Sequence, residues 1–586
     1  MNRVPVKVQS PMKEADPKLR FGWYLLACLL AAFTYFYGLD SEHIPKNGDE
    51  YPYAHIVRLT AASGDLLPLQ SQMDNMRNTK PPLLFWQGIV TTGWGADWER
   101  WKLRYPNVIY TLLTAAMLFM LARRLSGRTE TGFIAALTWL AFFTTYRFGR
   151  PFLTNAPEVF WLSLPFFTLL YWRETFSSRF VIPLLFGAAI GTGFLYKSFA
   201  LGLPMTLALS GWYLHQRNYR ITEFLKQDAL KIAISITVAV AIFALWFALD
   251  PDPAAVWKEF VVGENVGKFD PHGPSYLAKL LWSGSSIWSF TAAFLTNPGL
   301  LSFPVVAMFI LAWRRRRELG NEEKLLLLLI AAFFISFALP SQRSGRYLLA
   351  AMPAVALLCA LNWQQIGRKA FVATLVLAGV VMAGMAYLAL RLQAEMPDTQ
   401  LYPPLFWLLH AATALLLLAA IILPGFTRAA VNIVALLVLL GLAAFLRPFD
   451  GPLGAFSAEA QRYAQGRQVW VPCNFRAKDE GHRFDLPGAD VHGYAEFQHF
   501  TAAELAMRYP LFAVRLSLRD DPQQACPTCS IIGQRLVIRD RQSAAEVKEM
   551  LREGKVLQNL FANEVLMASP QVAVAARALS PAHECR

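Results

Sequence analysis

Two groups of charged residues in one long polar segment have the types and spacing of a site that handles phosphate. Asp49 and Glu50 are adjacent carboxylates, and Lys80 directly precedes two prolines. A positioned carboxylate can act as a general base towards an acceptor group. Proline commonly opens a helix, so Lys80 would stand just before a helix N-terminus and its exposed backbone amides. A lysine there opposes the helix dipole unless an anion is present, so this segment predicts a phosphate site.

The same residues also have ordinary structural interpretations. Asp49 and Glu50 precede a short amphipathic stretch that includes Tyr53, and acidic residues in a first turn commonly complement the helix dipole. Such a stretch would lie in a membrane interface. Lys80 could equally be an interfacial lysine whose ammonium group reaches water. The residues alone leave these alternatives open.

Further polar residues interrupt segments that are otherwise apolar. Two of them, Arg343 and Arg346, lie in a connection between two apolar blocks. If these blocks span a membrane, this connection lies on the side where the other connections contain little Arg or Lys. Arginines there do not help to orient a membrane protein, so they indicate an anionic ligand. The candidates in this group are Glu158, Lys197, Glu264, Arg343, Arg346 and Tyr347.

The elements that must position these residues are membrane-spanning helices. The chain is 55% hydrophobic and 16% charged, whereas soluble domains carry about 25% charged residues. Its apolar blocks approach the roughly 20 residues that cross a bilayer as a helix. We therefore predict a polytopic α-helical membrane protein with about thirteen spans. The predicted spans lie near 21–38, 105–122, 131–148, 157–172, 180–196, 199–214, 229–249, 283–312, 323–340, 347–361, 370–390, 404–424 and 429–446.

The distribution of basic residues predicts the orientation of these spans. Alternate connections are rich in Arg and Lys, which places them and the tail 1–20 in the cytoplasm. The first apolar run lacks a convincing cleavage site and is expected to stay as a span. The loop 39–104 after the first span is then expected in the periplasm of a bacterial inner membrane, and an odd number of spans puts the C-terminal tail on the same side. The formal net charge of +14 comes mainly from residues between apolar blocks, which suits contact with lipids and argues against a nucleic-acid partner.

A composition change after residue 446 divides the chain. We predict a transmembrane domain over 21–446 and a small periplasmic α/β domain over 447–586. The second region contains Cys473, Cys526, Cys529 and Cys585, and disulfides persist in that compartment. The Cys526–Cys529 spacing permits a redox pair or half of a zinc site, but no thioredoxin-like context surrounds it, which favours a structural disulfide. The pairing stays open.

The two charged groups are parts of longer motifs. The segments Gly48-Asp49-Glu50, Tyr53-Ala54 with Arg58, and Lys80-Pro81-Pro82 resemble the first periplasmic loop of C-type glycosyltransferases (GT-C). The most similar group contains the lipid A 4-amino-4-deoxy-L-arabinose transferases and the protein O-mannosyltransferases. The stretches 193–203 and 343–347 are similar to later parts of the same family. About thirteen spans followed by a C-terminal periplasmic domain also resemble the lipid A transferase branch, so the resemblance covers essentially the whole chain.

This resemblance implies an inverting transfer of a sugar from undecaprenyl phosphate to an acceptor on the periplasmic face. Lipid A phosphate is the first acceptor it suggests, and a hydroxyl of a cell-surface glycan or exported protein is the alternative. The implied catalytic residues are Asp49 and Glu50, and the implied donor-phosphate ligands are Lys80, Arg346, Tyr347 and Arg58. Further cavity candidates are Tyr53, Glu158, Lys197, Glu264 and Arg343.

Departures from the family pattern concern the metal and the sugar. Thr79 stands where the lipid A transferase has a glutamate, and Asn265 stands where it has a histidine. Both belong to the divalent-metal site that the resemblance suggests, so we assign no metal ligands and no certain cofactor, and a divalent metal stays an open alternative. Competing interpretations are a lipid-linked sugar flippase or transporter, an O-antigen ligase or polymerase, and a non-catalytic scaffold. The identity of the sugar stays open.

Overall fold

Long helices dominate the first three quarters of the chain. The computed structural model describes residues 17–45, 48–73, 76–172, 178–265, 267, 276–539, 548, 552–553 and 555–570. Before the sheet region, the α-helices are α1 Pro17–Phe36, α2 Glu50–Ser63, α3 Leu83–Thr91, α4 Arg100–Ser126, α5 Thr129–Ala141, α6 Phe143–Gly149, α7 Asn155–Tyr171, α8 Val181–Tyr196, α9 Gly202–Gln216, α10 Ile221–Gln227, α11 Ala229–Leu249, α12 Pro253–Val256, α13 Tyr276–Trp282, α14 Ile287–Thr296, α15 Ser302–Arg314, α16 Asn321–Ala338, α17 Met352–Leu361, α18 Arg368–Glu395, α19 Pro404–Ile422 and α20 Thr427–Leu446. A π-helix covers Trp257–Asn265 and a 3₁₀-helix covers Gly345–Ala351.

Each predicted span coincides with a helix or with two consecutive helices. The segment 131–148 forms the two helices α5 and α6, which are separated by extended backbone at Phe142. The segment 283–312 was predicted as one span, and in the structure it consists of two helices, α14 and α15. Its halves meet at a bend of 102°, close to Asn297 and Pro298. A proline cannot continue an upstream helix's hydrogen bonding, and this accounts for the break.

The described helices differ in whether their length and composition suit a membrane span. Five described helices are long and apolar enough to cross a membrane, or six if the bent pair forms one span. The shorter apolar helices include Gly22–Phe36, Val181–Tyr196 and Gly345–Leu361. A straight helix of 16 residues such as Val181–Tyr196 falls short of the roughly 30 Å hydrocarbon core, whereas the full 20 residues of α1 reach this length. The chain is a multi-pass membrane protein, and the order of its apolar helices follows the sequence prediction.

The connections rich in Arg and Lys contact one another at one end of the helices. Arg315, after α15, contacts Gln365 in the connection after α17. Arg368 Nε donates to Thr427 Oγ1 at 3.1 Å, and Arg428 Nη2 donates to the Ile366 carbonyl oxygen at 2.9 Å. These contacts bring three basic connections to one side, as the charge pattern predicts.

Helices α2 and α3 carry the two motifs of the first long loop and pack directly on each other. α2 ends at Gly64, whose φ of +81° is the left-handed conformation that glycine adopts without strain. At Gly88 of α3, an added Cβ would lie 2.8 Å from Val57 Cγ2 of α2. The missing side chain therefore permits the close approach of the two helices. As predicted, Lys80 precedes the start of a helix.

A five-stranded sheet forms the region after the last long helix. Its strands are β1 Gln468–Cys473, β2 Asp490–Ala495, β3 Leu511–Leu516, β4 Ser530–Ile538 and β5 Phe561–Ala568, in the order β2-β1-β3-β5-β4. Strands β1, β2 and β3 are parallel, and β5 is antiparallel to β3 and β4. The accompanying helices are α21 Ala458–Ala464, α22 Asp479–Asp485, α23 Ala502–Arg508, α24 Pro522–Ala525 and α25 Val556–Leu560.

Both faces of the sheet are covered. Trp470 and Phe512 belong to one apolar cluster, and Val469 and Val471 belong to another. Because successive side chains of a strand point to opposite faces, these clusters lie on the two sides of the sheet. The described structure therefore contains an α/β unit in the region where the sequence predicts one.

Candidate functional site

Three cations, each paired with a carboxylate, come from widely separated parts of the chain. Arg346 Nη1 lies 2.7 Å from Asp49 Oδ2. Lys80 Nζ lies 2.6 Å from Glu264 Oε1, and Lys197 Nζ lies 2.5 Å from Glu158 Oε2. The three cations border a cavity of about 310 Å³, whose lining also includes Glu264 and Tyr347.

Each member of these pairs stands at the end of an element. Asp49 directly precedes α2, and Lys80 stands three residues before α3. Arg346 lies in the 3₁₀-helix between α16 and α17, and Glu264 lies near the end of the π-helix. Helix ends are where polar groups can face an aqueous cavity while the apolar parts of the helices remain in the membrane. This explains how residues far apart in sequence converge.

The Lys197–Glu158 pair is the most buried of the three. Lys197 follows the last residue of α8, and the Glu158 side chain in the first turn of α7 is 1% exposed. Lys197 Nζ also lies 5.8 Å from the centre of the Tyr347 ring, which is a cation–π distance. A buried ion pair seldom gains net stability over apolar packing, so its presence beside a cavity fits a functional role.

The remaining lining of the cavity is largely apolar, with a few polar groups. The apolar residues are Phe199, Ala200, Leu201, Leu203, Phe337 and Pro340, and the polar ones are Ser198, Asn265, Ser336 and Gln342. Ser198 Oγ donates to Asn265 Oδ1 at 2.8 Å. Sequence reasoning missed most of these residues. Ser198 and Gln342 adjoin predicted site residues, but the apolar lining has no signal that distinguishes it from other helix residues.

Tyr53 lies close to the Asp49–Arg346 pair. Its ring is buried and packs edge-on against Phe85, with ring centres 5.9 Å apart. Burial raises the pKa of Tyr53 well above its ordinary value, and the Asp49 carboxylate adds to this increase. The hydroxyl therefore stays protonated.

The second predicted catalytic carboxylate, Glu50, is committed to other contacts. Arg104 Nε and Nη2 donate to its two oxygens at 2.7 and 2.8 Å, and the Phe152 amide donates to Oε1 at 2.8 Å. Glu50 is 4% exposed. These contacts tie the start of α2 to α4 and to the segment before α7.

Two predicted arginines do not line the cavity. Arg58 Nη2 lies 2.6 Å from Glu480 Oε1 in the sheet region. Arg343 donates to the carbonyl oxygens of Ala338 at 2.6 Å and Ser285 at 3.0 Å. Ala338 ends α16, so Arg343 satisfies a carbonyl group at a helix C-terminus.

One group of described residues has the spacing of a metal site. Ligand atoms of His55, Asp479 and Glu480 lie within 4.8 Å of one another, and all three residues are buried. However, His55 Nδ1 bonds to Glu480 and its Nε2 accepts from the Gln72 amide at 3.1 Å. Arg58 lies beside Glu480, and its charge would repel a divalent cation. The residues fit a network of ion pairs and hydrogen bonds better than they fit a metal ion.

The cysteines divide between the helices and the sheet region. Cys28 and Cys359 are free, and both belong to helices. Cys526 and Cys529 form a disulfide with their Cα atoms 5.4 Å apart. Cys473 is also disulfide-bonded. Cys585 lies outside the described residues.

Comparison with known proteins finds similarity to a protein family and to individual relatives. A family described as "Dolichyl-phosphate-mannose-protein mannosyltransferase" matches residues 79–247. An "Undecaprenyl phosphate-alpha-4-amino-4-deoxy-L-arabinose arabinosyl transferase 2" of Proteus mirabilis is 24% identical over 396 residues, which are 65% of this chain and 67% of the relative. The protein of the same name from Pseudomonas fluorescens is 26% identical over 57% of this chain and 58% of the relative.

Solved structures extend the similarity over nearly the whole length. ArnT from Cupriavidus metallidurans in the apo state has a TM-score of 0.58 at 17% identity, covering 94% of this chain and 99% of that one. The same protein bound to undecaprenyl phosphate gives a TM-score of 0.57 at 16% identity, covering 93% and 98%.

The chain is ArnT-like. Its fold is similar to that of ArnT, and the predicted resemblance to the lipid A 4-amino-4-deoxy-L-arabinose transferases is confirmed. The matched segments span about two thirds or less of the length of the curated relatives. In this ArnT-like chain, Lys80, Glu158 and Lys197 fall within the matched family region, whereas Asp49, Glu264 and Arg346 lie outside it.

Proposed function

We propose that the ArnT-like chain transfers a sugar from undecaprenyl phosphate to an acceptor on the periplasmic face of the bacterial inner membrane. The proposal makes lipid A the first acceptor, because the relatives are named for transfer of 4-amino-4-deoxy-L-arabinose from undecaprenyl phosphate. The observation that carries it is the convergence of Lys80, Lys197 and Arg346 on one largely apolar cavity. An apolar cavity with cations at its border suits a phosphate attached to a hydrocarbon chain.

In this proposal, Lys80 and Arg346 contact the donor phosphate, and Lys197 supports them. A departing lipid phosphate gains negative charge, and cations already in place lower the barrier to its departure. The three carboxylate partners keep the cavity neutral before the donor arrives. The donor phosphate then takes the place of a carboxylate next to a cation.

Asp49 is the proposed catalytic carboxylate. It lies beside Arg346, so the group that prepares the acceptor and a group that holds the donor phosphate would be coupled directly. For a hydroxyl acceptor, Asp49 would remove the proton as the new bond forms. A phosphate acceptor is already ionised, and Asp49 would then position it. Direct displacement in either case inverts the anomeric carbon.

Mass spectrometry of lipid A from cells with and without the gene tests the acceptor. The expected result is a sugar addition that disappears with the gene and also in an Asp49→Asn strain. The intact addition in the deletion strain would contradict the lipid A proposal. The same comparison on surface glycans and exported proteins would then identify a hydroxyl acceptor.

A further inference from the structure

We infer that Glu480, in the sheet region, is a positioning residue that holds α2 and therefore Asp49 in place for transfer. The inference rests on the proposed function of Asp49. It gives the C-terminal region a role in the reaction, although Glu480 does not line the cavity.

Glu480 binds α2 through two side chains one helical turn apart. His55 Nδ1 lies 2.8 Å from Glu480 Oε1, and Arg58 Nη2 and Nε lie 2.6 and 3.0 Å from the same oxygen. Residues three apart share a helix face, so Glu480 contacts one side of α2. The His55 and Glu480 side chains are fully buried. Glu480 therefore restrains α2 from rotating about its axis and from sliding along it.

The contact continues to the segment that leads to Lys80. The Gln72 amide donates to His55 Nε2 at 3.1 Å, so Nδ1 carries the ring proton and donates it to Glu480. One carboxylate thus fixes the tautomer of His55, and His55 in turn holds the chain after α2. Through these bonds Glu480 contacts α2 directly and, by way of His55, holds Gln72 in the segment after α2.

The charge on Glu480 is maintained by its partners. Burial alone would raise the pKa of this carboxyl group, but Arg58, His55 and Arg483 hold it well below its ordinary value. Glu480 therefore stays ionised at neutral pH and keeps both contacts. A neutral amide at this position could accept one hydrogen bond but would lose the charge that binds Arg58.

Small movements of α2 matter because Asp49 directly precedes it. Asp49 must meet Arg346, which belongs to an element almost 300 residues later in the chain. A displacement of about 1 Å at a reacting group can lower a rate by about 100-fold. Loss of the Glu480 contact should therefore reduce turnover without removing any group that touches the donor.

The test compares Glu480→Gln with a matched control in the full-length protein in lipid nanodiscs. The control is Asp228→Asn, which also removes a buried carboxylate. Asp228 contacts two cations, Arg217 and Lys231, each at 2.7 Å, at the opposite end of the helices. Three quantities are measured for each variant: hydrogen exchange of α2, turnover, and binding of undecaprenyl phosphate.

For Glu480→Gln, we expect exchange in α2 to accelerate about tenfold or more and turnover to fall by about 100-fold. Undecaprenyl phosphate should bind within about twofold of the wild type, because the cations at the cavity are unchanged. Asp228→Asn should lower the unfolding temperature while leaving α2 exchange and turnover at wild-type values. If Glu480→Gln does not fold, Arg58→Gln replaces it in the test, because Arg58 is the α2 partner in the same ion pair.

The inference fails if Glu480→Gln accelerates exchange in α2 without lowering turnover, or lowers turnover without accelerating exchange. It also fails if Asp228→Asn lowers turnover as much as Glu480→Gln does. Failure of the proposed function has a different signature. In that case Asp49→Asn would keep wild-type turnover, whatever the effect of Glu480→Gln.

Discussion

Asp49 and Lys80 reach the site from the same loop, but they have different partners. Asp49 pairs with Arg346, whereas Lys80 pairs with Glu264 on the π-helix. A base or acceptor-positioning group should affect the chemical step, and a phosphate ligand should affect donor binding as well. Substitution of Asp49 should therefore slow transfer without weakening donor binding, whereas substitution of Lys80 should affect both.

Asp49→Asn keeps the shape of the side chain and removes its charge. We expect turnover to fall by about 100-fold or more, which is within the usual range for a general base. Binding of undecaprenyl phosphate should persist because Lys80 is unchanged. Asp65→Asn, an exposed carboxylate just after α2, is the control and should retain activity. Near-normal turnover in Asp49→Asn would rule out the catalytic assignment.

Lys80→Ala removes a charged contact to the donor phosphate. We expect the binding free energy to weaken by about 1.5–3 kcal/mol, the range for hydrogen bonds to charged groups. Turnover should fall too, because the same contact supports the leaving phosphate. Titration with undecaprenyl phosphate measures the effect, and Lys102→Ala at the start of α4 is the matched control. Equal affinities of the two variants would remove Lys80 from the donor site.

At the scale of elements, the sequence predicts the helices better than the contacts between them. The predicted span at 229–249 matches α11, because a long apolar block has few alternatives to a membrane helix. The break between α14 and α15 was missed, because hydrophobicity indicates which residues contact lipid but does not indicate where a helix axis bends. Asp49 and Lys80 were predicted because adjacent carboxylates, and a lysine before two prolines, have the types and spacing of a site that handles phosphate. Glu480 was not, because it lies in an ordinary polar stretch.

Glu564 on β5 joins several elements of the sheet region. Its carboxylate is fully buried and contacts Arg535 at 2.6 Å, Arg515 at 3.0 Å and His482 at 3.1 Å. Burial would raise the pKa of Glu564, but these partners outweigh it and hold the pKa well below the ordinary value. The ionised form therefore stabilises the folded state.

This depressed pKa predicts how stability depends on pH. The contribution of Glu564 is fully present above about pH 4.5, the ordinary value, and is lost as the pH falls towards the depressed folded value. Glu564→Gln should cost about 3–5 kcal/mol near pH 7, as for other broken buried pairs. Unfolding curves of the full-length protein between pH 3 and 7 measure it. The difference from wild type should shrink at acid pH, and a difference that grows would contradict the argument.

At the scale of the whole molecule, the basic connections and the proposed site occupy opposite ends of the helices. Arg315, Arg368 and Arg428 belong to the first end, and Asp49 and Arg346 belong to the second. The positive-inside tendency then predicts that the site and the sheet region face the periplasm.

Reporter fusions test this orientation. Alkaline phosphatase fused after Ser569, just beyond β5, should be active, because the enzyme needs the oxidising periplasm to form its disulfides. A fusion after Arg316, in a basic connection, should be inactive. The reverse pattern would place the proposed site in the cytoplasm.

The three ion pairs at the cavity also bear on how the spent carrier leaves. A sugar phosphodiester carries one negative charge, whereas the phosphate monoester left after transfer carries about 1.5 to 2 at neutral pH. The product would therefore hold the cations more strongly than the donor did, unless something competes for them. Glu264 Oε1 lies 2.6 Å from Lys80 Nζ, so Glu264 can compete with the phosphate for this lysine and promote dissociation of the product. We expect Glu264→Gln to slow the dissociation of undecaprenyl phosphate several-fold and to make product release limit turnover, whereas an unchanged dissociation rate would exclude this route.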